Sequence, residues 1–130
     1  MYKIGHLGYL ENNHKTALNR WKQNGYKISF KEKKDLRQNI ICSLLKKKNF
    51  PDVELISVFD KRKKSTIKNR IERGIHFDHV CYLVNNFDKK IAALRKENFK
   101  LVYKAWSPIF KTRIAFLISS NNSLIELMQK

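Results

Sequence analysis

Cysteine is scarce. Cys42 and Cys81 stand far apart, and neither belongs to a Cys-x-x-Cys pair or a Cys/His cluster. This excludes a disulfide framework and a zinc finger and reads as two reduced thiols. Long apolar runs are missing too. No stretch approaches the roughly 20 residues of a membrane helix, and Met1-Tyr2-Lys3-Ile4-Gly5-His6 has no apolar signal core behind its first lysine. The expectation is a cytoplasmic protein with no membrane partner. Acidic residues are few, 11 against 28 basic ones, for a net charge of +17. Such a field suits anionic partners of any kind. Arginine, however, is outnumbered 7 to 21 by lysine, and the densest runs, Lys46 to Lys48 and Lys61 to Lys64, fall where loops are expected. Bidentate recognition of bases and phosphates favours arginine, which weighs against a nucleic acid as partner, but the charge alone does not choose among an anionic membrane surface, an acidic small substrate and a solvated surface with no role.

What the chain does have is apolar mass: 42% hydrophobic residues, fifteen aromatics among them, in 130 residues. That is enough for one compact domain and too short for separate catalytic and regulatory domains. The chain also repeats itself. A shift of 73 positions lays Gly5-His6-Leu7-Gly8-Tyr9-Leu10-Glu11-Asn12-Asn13 on Asp78-His79-Val80-Cys81-Tyr82-Leu83-Val84-Asn85-Asn86. Leu18 and Trp21 then fall on Ile91 and Leu94, and Gly25-Tyr26-Lys27 on Asn98-Phe99-Lys100. With one residue of slippage, Val53-Glu54-Leu55 falls on Ile125-Glu126-Leu127.

Local signals give each half the same element order. Residues 3–10 mix β-branched, aromatic and small residues and end in Asn-Asn, a helix N-cap signal, so they read as a strand. Ala17, Leu18 and Trp21 recur at helical spacing between His14 and Asn24, and Gly25 supplies a stop. Strands are expected near 26–31, 37–45 and 52–58. The second half reruns this with a strand at 76–84, a helix from Phe87 to Glu97, and strands near 99–104, 111–118 and 122–128. Module 1 spans about 3–59 and module 2 about 75–130. The linker at about 60–74 carries one helical piece, with Ser65-Thr66 as its cap and Gly74 as its stop. The pattern is βαβββ twice within a single α+β domain.

Because side chains alternate across a strand, His6 shares a face with Ile4, Gly8 and Leu10, and His79 with Phe77, Cys81 and Leu83. Glu54 and Glu126 lie in mid-strand between branched aliphatics. A carboxylate there is costly unless it is paired, hydrogen-bonded or bound to a cation. Two imidazoles and two carboxylates in matching places would balance one divalent ion and leave positions open for water or substrate. His6, Glu54, His79 and Glu126 are therefore the candidate metal ligands. Zinc, nickel, cobalt, iron and manganese all suit such a set.

Four segments carry a family resemblance: Lys3-Ile4-Gly5-His6-Leu7-Gly8-Tyr9, Val53-Glu54-Leu55-Ile56, His76-Phe77-Asp78-His79-Val80-Cys81-Tyr82, and Thr112 to Leu117 followed by Leu124-Ile125-Glu126-Leu127. Together they resemble the glyoxalase/bleomycin-resistance group, the vicinal oxygen chelate superfamily, over essentially the whole chain. Ser65 to His76 is similar to the linker of methylmalonyl-CoA epimerases and of small bacterial lactoylglutathione lyase-like proteins. The resemblance implies paired modules forming a curved eight-stranded cup around a divalent metal held by His6, Glu54, His79 and Glu126.

It further implies a metal-dependent lyase or isomerase of the lactoylglutathione lyase type. Such an enzyme abstracts a proton next to a carbonyl while the enediolate or enolate is held on the metal. By this analogy Glu126 doubles as base, with Glu54 as its counterpart. The substrate would be an anionic glutathione or coenzyme A thioester, and the assembly a homodimer. A methylmalonyl-CoA epimerase-like isomerase and a non-catalytic small-molecule-binding protein of the resistance type are the alternatives. One departure weighs against the epimerase: the region of the third strand reads Asp35-Leu36-Arg37-Gln38-Asn39-Ile40-Ile41, and the strand itself, expected near 37–45, has no carboxylate inside it. Of the remaining residues, Cys81 reads as filler and His14 and His76 as exposed. Trp106-Ser107-Pro108 reads as a loop over the cup mouth, and Arg113 as a possible anion contact.

Overall fold

The computed structural model describes residues 2–130. Strand β1 (Lys3–Leu10) leads through the Asn12-Asn13 turn into helix α1 (His14–Gln23), followed by β2 (Lys27–Asp35), β3 (Ile40–Lys46) and β4 (Val53–Val58). A short helix α2 (Lys68–Glu72) occupies the linker. Then β5 (Phe77–Val84), α3 (Phe87–Lys96), β6 (Lys100–Ser107), β7 (Thr112–Ile118) and β8 (Leu124–Gln129) repeat the order. The strands form an eight-stranded sheet in the order β2-β3-β4-β1-β5-β8-β7-β6. This is the tandem βαβββ, α+β architecture expected from the sequence.

Two compact units divide the chain: Leu7–Asp78, and the described residues up to His6 together with His79–Lys130. The division falls inside β1, after His6, and inside β5, before His79.

In the unit 7–78, Asn13 caps α1 by accepting from the Thr16 backbone N–H at 3.0 Å. Ala17 and Leu18 of α1 pack on Leu45, Val53 and Leu55, with Tyr9, Trp21, Tyr26 and Ile28 around them. Fully burying one leucine is worth roughly 1.5–3 kcal/mol, so these few side chains fix the helix on its sheet face. In the other unit Phe87, Ile91 and Leu94 of α3 pack on Val84, Ala115, Leu117 and Leu127. The opposite sheet face of that unit carries Cys81, Ile114 and Met128, joined by Leu83, Tyr103, Phe110 and Phe116. Each unit pairs a strand in parallel with the strand that precedes its helix: β4 with β1, and β8 with β5.

Several boundaries differ from expectation. β2 runs to Asp35 and β3 begins only at Ile40, because residues 36–39 form the hairpin turn. Asn39 supplies its positive φ of 58°. Asp35 itself is buried, and its carboxylate accepts from the backbone N–H groups of Arg37 and Gln38 and from Gln38 Nε2. Trp106 and Ser107 end strand β6 and are not a loop.

Candidate metal centre

Three side chains meet in one unit. His6 comes from β1, His79 from β5 and Glu126 from β8, and all three are buried. Strand alternation explains why they face one way. Ile125 and Leu127 turn to α3, so Glu126 turns to the side of Met128, and His79 shares that side with Cys81. The parallel register then places Glu126 opposite Cys81, two residues past His79.

Aromatic rings hold the imidazoles. Phe110, from the β6–β7 turn, stacks on His6 with centroids 5.1 Å apart and planes within 12°. Phe116, directly opposite Glu126 on β7, meets His79 edge to face at 5.1 Å. None of the local signals reaches Phe110. Phe116 is reachable, since the β7–β8 hairpin register puts it beside Glu126.

The donor atoms converge. His6 Nε2 and His79 Nε2 are 3.3 Å apart, and Glu126 Oε1 lies 3.0 Å from the first and 3.2 Å from the second. Despite these short distances the buried Oε1 accepts no well-directed hydrogen bond. Three potential donor atoms crowded within one another's reach, with the oxygen lacking a well-directed hydrogen bond, make an arrangement that a shared positive centre would satisfy. Ligands about 2.0–2.2 Å from one divalent ion, at angles between octahedral and tetrahedral, are about 3.0–3.4 Å apart. The measured edges fall in that range, so the donor set fits a divalent metal.

Burial pushes the Glu126 carboxyl up, but the imidazoles of His6 and His79 outweigh it and bring it down to about 2. It is therefore an anion at any working pH.

Glu54 lies in the unit 7–78. It is buried in mid-β4, and because Val53 and Leu55 pack on α1 it faces away from that helix. Its register partner is Gly8, two residues past His6, which is the relation Glu126 has to His79. Among the other sequence candidates, Arg113 turns to the helix side. Its Nε donates to Gln129 Oε1 at 2.7 Å, an NH1 donates to Asp88 at 3.1 Å, and the guanidinium lies 4.7 Å over the Phe87 ring. His76 is exposed, as expected, and pairs with Glu11 at 2.7 Å. His14 is not exposed: it is half-buried between the hydroxyls of Ser57 and Ser43 at 2.8 and 2.6 Å.

Residues 5–116 match the sequence pattern of the Glyoxalase/Bleomycin resistance protein/Dioxygenase superfamily. The chain belongs to this superfamily. A comparison with curated protein sequences finds no match. Solved structures of similar fold include a hypothetical protein from Bacillus halodurans C-125, with a TM-score of 0.86 at 18% identity over 99% of this chain and 94% of that one. Methylmalonyl-CoA epimerase from Mycobacterium tuberculosis gives 0.83 at 22%, over 97% and 86%. A Streptomyces coelicolor methylmalonyl-CoA epimerase variant in complex with 2-nitronate-propionyl-CoA gives 0.78 at 17%, over 98% and 94%. At these identities the likeness is one of superfamily fold, and the superfamily includes enzymes. Among the described residues no helix is long and apolar enough to cross a membrane.

Proposed function

We propose that this protein is a metal-dependent lyase or isomerase of the lactoylglutathione lyase type. It would remove a proton from a carbon next to a carbonyl, with His6, Glu54, His79 and Glu126 as ligands of one divalent metal. The observation that carries this reading is the convergence of His6 Nε2, His79 Nε2 and Glu126 Oε1 within 3.0–3.3 Å in a buried setting. Glu54 is assigned as fourth ligand because it is a buried mid-strand carboxylate with the register relation to β1 that Glu126 has to β5. When bound, the metal polarises the substrate carbonyl and lowers the cost of negative charge on its oxygen.

The chain's own residues do the rest. Phe110 and Phe116 keep the imidazole rings in orientation and keep water from them. Glu126 accepts the substrate proton. Its carboxylate is kept ionised, and so able to accept, by the imidazoles of His6 and His79 beside it.

The fold likeness to methylmalonyl-CoA epimerases favours a second reading, an epimerase-like isomerase on a coenzyme A thioester. The third strand weighs against it. On β3 the residues sharing the face of Glu54 are Ile40, Cys42 and Leu44, and Asp35 is engaged in the hairpin turn before the strand begins. The matching β7 positions are Ile114, Phe116 and Ile118. Neither strand offers a second carboxylate to deliver a proton to the opposite face of a carbanion, so the chemistry is that of a single base.

Elemental analysis of the purified protein tests this, together with assays on the hemithioacetal of methylglyoxal and glutathione and on methylmalonyl-CoA. About one equivalent of divalent metal, lost in His79→Ala, with turnover of the hemithioacetal, is expected. A protein that binds these ligands equally well after His79→Ala is a binding protein, and the enzymatic reading fails.

A further inference from the structure

Strand alternation predicts that Leu101 and Tyr103, two residues apart on β6, share a face. They do not. Leu101 packs on the α3 side with Phe87, Leu94 and Leu117, whereas Tyr103 packs on the opposite side with Cys81, Ile114, Phe110 and Phe116. The cause is a β-bulge. Leu101 pairs with Leu117 and Tyr103 with Phe116, so two steps along β6 answer one along β7, and Val102 is the extra, exposed residue. Bulges re-aim side chains and cluster beside active sites.

The same irregularity occurs 73 positions earlier. On β2, Ile28 pairs with Leu45 and Phe30 with Leu44. A bulge kept at matching places in both halves belongs to the duplicated architecture. The residue it re-aims is a phenylalanine in one half and a tyrosine in the other, so packing at this position does not require the hydroxyl.

Within its unit Tyr103 completes a row that crosses three adjacent strands: Glu126 on β8, Phe116 opposite it on β7, and Tyr103 opposite Phe116 on β6. The Tyr103 ring lies 6.4 Å from that of Phe116, which itself abuts His79. The phenol oxygen is buried on the face that carries the metal-ligand cluster.

The geometry points to Tyr103 as a substrate-contacting residue. Its hydroxyl donates a hydrogen bond to an oxyanion of a substrate that carries vicinal oxygens, on the Phe116 side of the cluster. The assignment rests on the metal-site reading above. A donor fixed by a strand and shielded from water acts on charge as it develops on the substrate oxygen, where it is worth more than in solution.

The test is calorimetric titration of acetohydroxamate, a small bidentate oxygen ligand, into zinc-loaded wild type and zinc-loaded Tyr103→Phe, with metal content and melting temperature measured for both. Tyr103→Phe keeps the ring, so metal content and melting temperature are expected to be unchanged while hydroxamate affinity falls roughly tenfold, the effect of losing one hydrogen bond to a charged group. Equal affinities in two metal-loaded proteins overturn this assignment alone. A wild type that takes up no zinc overturns the metal reading and the assignment with it.

Discussion

Glu126 sits between two imidazoles that hold its carboxyl at about 2 against the opposing effect of burial. A carboxyl depressed in the folded state contributes stability above its ordinary value near 4.5, and that contribution is lost as pH falls from 4.5 towards 2. Glu126→Gln is therefore expected to flatten the acid limb of stability below pH 4.5, read by urea denaturation of the metal-free protein. The same variant is expected to hold less than a tenth of an equivalent of zinc, because one anionic ligand is gone. His14 titrates in a separate window. Burial lowers its pKa from 6.5, only partly offset by Glu32 and Glu11, so the folded protein keeps it neutral between Ser43 and Ser57. The unfolded chain takes up the proton first, and stability is lost as pH falls below 6.5. His14→Gln is expected to reduce that loss between pH 6.5 and 5, visible as a shallower fall in melting temperature. The His14 effect was not legible locally. The serines that hold His14 lie 29 and 43 positions away, and only the pairing of β3 with β4 puts them under the start of α1.

At the scale of elements, the ends of α1 and α3 were the most readable features, whereas α2 begins after Ile67 with no side-chain cap from Ser65 or Thr66. α1 closes with the Gly25 N–H donating to the Lys22 carbonyl and the Tyr26 N–H to that of Trp21. α3 closes the same way, with Asn98 and Phe99 donating to Arg95 and Leu94. Gly25 has φ 90° and Asn98 has φ 69°, the left-handed conformation this motif needs. Gly25→Ala is expected to cost about 1 kcal/mol in urea denaturation, and Gly25→Asn clearly less, since the second half uses asparagine there. Equal costs for the two would mean that contact with Lys47, and not backbone conformation, decides the position. Strand positions were read to within a few residues where alternation is regular. The reading slipped at β3, whose start depends on the hairpin turn formed by 36–39, and on β6, where a bulge reverses the face that alternation assigns.

For the whole molecule, the charge of +17 sets a positive potential that attracts anions and is screened by salt. Raising ionic strength from about 50 to 500 mM is expected to lower kcat/KM for the anionic glutathione hemithioacetal several-fold and to leave that for an uncharged thiol adduct nearly unchanged. A flat response for both would make the charge irrelevant to the reaction. The sequence by itself determined the duplicated βαβββ order and the identity of two imidazoles and two carboxylates at matching strand positions. Duplication leaves a linear record, and strand and helix periods are local properties of the chain. Only the tertiary structure decided which groups converge and which turn away: the 3.0–3.3 Å meeting of His6, His79 and Glu126, the ring of Phe110 on His6, the engagement of Arg113 with Asp88 and Gln129, and the turning of Tyr103 by a bulge. Those outcomes depend on register between strands far apart in the chain, and a shift of one residue reverses every side chain on a strand.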